Sequence, residues 1–176
     1  MQIACIAALL SLVLVATPAS AGIFDFGVPP SPLPAIPGAI DERVNAQTID
    51  HTICVPGYAR SVRPPYSVTG PLKHRLMLAQ HPGERASGYE LDHLVPLSLG
   101  GAPDSMRNLW LEPMAGPMNA GDKDKLEYVL WRLVCSHTVP LETAQRAIAT
   151  NWIAAYRRYA TAPNLARFHF SHGGAE

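Results

Sequence analysis

Acidic residues are missing from one long stretch of this chain. None occurs between Asp50 and Glu84, whereas Arg60, Arg63, Lys73 and Arg75 all fall there. The stretch is a candidate basic surface; four solvated cations with no ligand is the equal alternative. The whole chain carries no net charge, with 14 basic residues against 14 acidic ones, so no global positive field draws in nucleic acid. Cysteine is sparse as well, at three in 176 residues, and no CxxC pair is present, which leaves a structural zinc site without support. There is no internal repeat, and one almost unbroken apolar run, residues 3–15, is too short to span a bilayer. The small residues Ala19-Ser20-Ala21 follow it, so residues 1–21 read as a signal peptide cleaved after Ala21, although Met1-Gln2 supplies no Lys or Arg. A retained membrane anchor is the alternative.

Export changes the meaning of the cysteines. Cys5 leaves with the signal, while Cys54 and Cys135 remain as an even pair in an oxidising compartment, a disulfide candidate. The competing reading is two unrelated buried thiols. A bridge would close a loop for which chain entropy sets an upper limit of roughly 4–5 kcal/mol.

What the chain does have is enough apolar sequence for one domain. Residues 22–40 are rich in Pro and Gly and read as an extended linker; the folded domain is expected over 41–162 and a flexible tail over 163–176. His169 and His172 in that tail resemble half a metal site, but tail histidines are usually just solvated. A short helix is expected around 71–80. Tyr89 to Leu97 has strand-compatible residues at both ends, Asn108 to Glu112 is a second short strand, and Gly100, Gly101, Pro103 and Asp104 supply loop chemistry between them. Leu126, Val129, Leu130, Leu133 and Val134 form one apolar helical stripe, and Leu141, Ala144, Ile148, Trp152 and Ala155 form another. Two short strands cannot bury a core alone, so the helix beginning near 119 must lie across them.

The segments "LDHLVPLSLGG", "RNLWLEP" and "NAGDKDKLE" therefore make a ββα unit with Asp92-His93 on its first strand. Over about residues 89–127 this resembles the HNH endonucleases, also called His-Me finger or ββα-metal nucleases. The resemblance implies an α+β fold: a small ββα-metal unit packed on C-terminal helices, with mostly helical structure elsewhere. It implies that Asp92 is a metal ligand, His93 the general base, and Asn108 the residue that pins the loop between the strands. Asn119 is the candidate second ligand, with Asp122 or Lys123 as alternatives at the helix start. The longer stretch from "CVPGYARSVRPP" to "RAIATNWIAAYRRY" also resembles a group of small exported bacterial proteins, which supports the domain boundaries more than an activity.

The chemistry agrees with those residue types. Hydrolysis of a phosphodiester near neutral pH needs a base that titrates there, which His supplies. Carboxylate and amide oxygens suit a hard divalent ion such as Mg²⁺, with Mn²⁺ as an alternative. Adjacent strand residues point to opposite faces, so Asp92 and His93 can share one centre only where the strand is distorted or ending. Arg60, Arg63 and Lys123 are the candidate phosphate contacts, while Glu90 and Arg107 flank the site without an assigned role. The expectation is an exported, periplasmic or secreted nuclease without stable membrane insertion, acting on nucleic acid, DNA before RNA. The alternative is a non-catalytic exported binding or structural module on the same scaffold.

Overall fold

The computed structural model describes residues 34–170; the expected signal peptide, most of the expected linker and the end of the tail, with His172, lie outside them. The architecture is α+β. Helices α1 (Tyr58–Val62) and α2 (Tyr66–Gln80) precede an antiparallel pair of strands, β1 (Tyr89–His93) and β2 (Leu109–Pro113), and α3 (Ala120–Cys135), α4 (Leu141–Tyr159) and α5 (Ala162–Phe168) complete the chain. None of the helices among the described residues is long and apolar enough to cross a membrane.

Both predicted stripes are buried. Leu126, Val129, Leu130, Leu133 and Val134 of α3 meet Leu141, Ala144, Ile148, Trp152 and Ala155 of α4 in a single core. Helix α4 is interrupted at Asn151, whose φ of −162° is extended; its Oδ1 accepts from Ala154 N at 2.9 Å and restarts the helix as an internal N-cap. The loop between the strands adds Leu94, Val95, Leu97 and Leu99 to the buried apolar residues.

Three expectations need correction. Helix α2 begins at Tyr66 rather than 71, and Pro71 sits inside it, so Pro71 supplies no N–H for the Ser67 carbonyl. The described end of the expected linker is not free: Gly38 N and Ala39 N donate to Arg107 O, Ala102 N donates to Ala39 O, and Ile36 packs on the core. The expected tail begins with α5, whose Phe168 is buried and whose backbone carbonyl at Phe168 accepts from Tyr128 Oη at 2.7 Å.

Cys54 and Cys135 form a disulfide, with Cα atoms 5.4 Å apart and a sequence separation of 81 residues. It ties the end of α3 to the segment before α1, and Trp131 Nε1 donates to Ile53 O at 2.8 Å beside it.

Candidate active site

The loop between the strands is held from both ends by Asn108. Its Oδ1 accepts from Val95 N at 2.9 Å, and its Nδ2 donates to Val95 O at 2.9 Å and Ala102 O at 3.1 Å. Gly101 makes this closure possible: a Cβ there would lie 1.8 Å from Val95 O and 2.6 Å from Asn108 Nδ2. The amide is fully buried, and its bonds replace ladder partners that the turning backbone loses.

The strands pair regularly through His93, with Glu90 opposite Glu112, Asp92 opposite Trp110 and His93 opposite Leu109. Alternation therefore sends Asp92 and His93 to opposite faces. The expectation is a strand distorted or ending at this pair: β1 does end at His93, but its pairing stays regular up to that residue, so the strand's end does not turn Asp92 and His93 toward one centre.

The Asp92 face lies under α3, which brings Lys123 and Glu127, one turn apart, onto the strands. Lys123 is wholly buried. Its Nζ donates to Asp92 Oδ2 at 2.5 Å, to His93 O at 2.9 Å and to Glu127 Oε1, and lies 3.9 Å from Glu112 Oε2. Lys123 is thus no surface phosphate contact; helix packing turned it inward. Burial works to discharge this ammonium, but the charges of Asp92, Glu127 and Glu112 outweigh it and hold its pKa well above the ordinary value. Burial likewise opposes ionisation of Asp92, yet the Lys123 charge and hydrogen bond keep its carboxyl below the usual range.

The surrounding acids behave differently. Burial raises Glu112 despite Lys123, with the Asp92 and Glu127 charges adding to the rise. Burial also raises Glu127 despite its ion pair with Lys123. Glu90 is raised to about 7 by burial, then by the Asp92 and Asp124 charges. One ammonium cannot neutralise all these carboxyls, so protons or a second cation must complete the balance.

The carboxylate oxygens of Glu90, Asp92 and Glu112 lie within 4.8 Å of one another, and Glu112 Oε1 is buried without a hydrogen-bond partner. Such a hard oxygen set fits Mg²⁺ or Mn²⁺. It differs from the expected Asp92 and Asn119 pair: Asn119 precedes α3, makes no side-chain cap, and its Nδ2 donates to Gly116 O at 2.7 Å in its own loop. Asp122, the other alternative, pairs with Lys125 at 2.9 Å.

On the other face, His93 lines a cavity of about 190 Å³ with Arg63, Pro64, Tyr66, Thr69, Gly70, Lys73, Glu90, Leu91 and Leu109. His93 Nε2 lies 2.8 Å from Pro103 O. A carbonyl only accepts, so Nε2 carries the proton and Nδ1 keeps the lone pair. Burial lowers the His93 pKa against the raising effects of Asp92 and of this hydrogen bond, so the ring is neutral at pH 7. Glu90, on the edge strand of the two-stranded sheet, belongs both to the carboxylate cluster and to the His93 cavity. Arg60 is exposed on α1 and is not among the residues lining this cavity; Arg107 is exposed and holds the N-terminal segment through its carbonyl.

The sequence reading missed Glu112 and Glu127 and left Glu90 without a role. Their signals were present: Glu90 and Asp92 two apart on a strand, Lys123 and Glu127 four apart on a helix, and one carboxylate in the otherwise buried strand "LWLEP". No family model, curated protein or solved structure matches this chain, so the motif likeness rests on its own residues and their geometry.

Proposed function

We propose that this is an exported HNH-like phosphodiester hydrolase acting on nucleic acid, with His93 as the general base. The observation that carries the reading is the His93 ring, fixed through Nε2 by Pro103 O, on a cavity that it shares with Arg63 and Lys73. His93 Nδ1 takes a proton from water as the water oxygen attacks phosphorus, the bond to the leaving oxygen breaks, and that oxygen is protonated from solvent. Arg63 and Lys73 orient the phosphodiester by charge. Glu90, Asp92 and Glu112 would hold a divalent ion, which would balance the buried carboxylates on the opposite face of the strands, and Glu90, which also borders the His93 cavity, would link the two. The disulfide supports export, being stable in oxidising compartments.

One observation favours the second reading, a non-catalytic exported binding module: Lys123 already satisfies the Asp92 carboxylate. The test is incubation of the purified disulfide-bonded domain with plasmid or RNA and Mg²⁺ or Mn²⁺, with and without chelator. Cleavage that disappears in a folded His93→Ala variant supports the hydrolase. Intact nucleic acid under every metal and pH leaves the binding module.

A further inference from the structure

Tyr66 is 84% exposed, an unusual position for an aromatic side chain with so much apolar area to hide. It opens α2 and lines the same cavity as His93. Its ring lies along the helix over Gly70, one turn on: a Cβ at Gly70 would fall 2.9 Å from Cζ, 3.1 Å from Cε1 and 3.2 Å from Cε2 of the ring. Only glycine lets the ring lie this flat. One side of the ring thus rests on the helix, while most of its surface remains in solvent.

We infer that Tyr66 is a stacking platform for a nucleobase next to the scissile phosphate, which makes single-stranded nucleic acid the preferred substrate. The inference deepens the proposed hydrolase reading by naming its substrate class. The size of the cavity supports it: about 190 Å³ is below the roughly 300 Å³ at which pockets begin to enclose drug-sized ligands, so a bound nucleotide keeps its base outside. Tyr66 stands at that rim, with Arg63 and Lys73 beside it for the backbone. An aromatic face combined with nearby cations is how single strands are held without sequence preference. In a duplex both faces of each base are already stacked, so the ring gains nothing until a base is pulled out, which costs energy.

The test measures binding by fluorescence anisotropy of labelled single-stranded and duplex oligonucleotides in chelator, where the proposed cleavage does not proceed. Wild type is expected to bind the single strand more tightly. Tyr66→Ala should weaken single-strand binding by about tenfold, Tyr66→Phe should restore it, and duplex binding should not move. Gly70→Ala, which displaces the ring without removing it, should reproduce the Tyr66→Ala loss; circular dichroism confirms the fold of each variant. Equal affinity for both forms, no measurable binding of either, or a Tyr66→Ala effect under about twofold overturns the inference. Tyr66-dependent single-strand binding by a protein that cleaves nothing would support it while removing the hydrolase reading.

Discussion

Lys123 concentrates the electrostatics of this protein at one atom. Replacing it with Met keeps much of the side-chain volume but leaves the half-buried carboxylates of Asp92 and Glu127 with no cation, so the variant should lose about 3 kcal/mol. Urea unfolding of the two proteins measures that difference. The neighbouring acids predict a pH dependence in chelator-treated protein. The folded pKa values of Glu90, Glu127 and Glu112 all lie above the ordinary 4.5. Their contribution is fully present below that value and fades as pH rises, Glu90's share by about 7 and the others' beyond it. Asp92, shifted the other way, matters only in strong acid, Lys123 only in strong base, and His93, lowered from 6.5, partly offsets the fall below that value. The melting temperature should therefore fall between about pH 5 and about pH 8, and Glu112→Gln, which keeps the side chain neutral, should flatten the slope. Added Mn²⁺ should oppose the fall by taking the place of the protons. A pH-independent melting curve counts against both the proton balance and the cation site. At this scale sequence reading was weakest. Lys123 looks like any helical lysine in "GDKDKLE", because its burial is set by strands some 30 residues away in sequence.

At the scale of elements, the strand–loop–strand segment behaves as one closed device. Gly101→Ala drives a Cβ into Val95 O, with no flexible side chain to yield, and should cost about 3 kcal/mol or more. Asn108→Ala removes the partners of Val95 N, Val95 O and Ala102 O, and should cost at least about 2 kcal/mol through unpaired buried backbone groups. Thermal denaturation of both variants checks the pair; an Asn108→Ala protein as stable as wild type would remove the amide from its fixing role. The two strands, the turn glycines and both core stripes were legible because period, turn chemistry and strand residues are local. The start of α2 was hidden by Pro71, which reads as a helix opening although the helix is already under way. Residues 163–168 looked like tail because their burial depends on α3, where Tyr128 receives them.

Across the whole molecule, the disulfide spans 81 residues and joins α3 to the segment leading into α1, so it braces the unit that carries the site. The Cys54→Ser, Cys135→Ser double variant should lose stability, up to the entropic limit of about 4–5 kcal/mol. Its urea midpoint should fall, and reductant should shift wild type toward the variant without shifting the variant itself. The sequence by itself determined the α+β class, the helical stripes and the candidate bridge, because those follow from periodicity and from counting within the chain. Only the tertiary structure decided which carboxyls gather, that Lys123 is buried among them, and that Asp92 and His93 part to opposite faces. The reason is physical: strand alternation and the seating of α3 set the direction of each side chain, and neither is fixed until the elements pack.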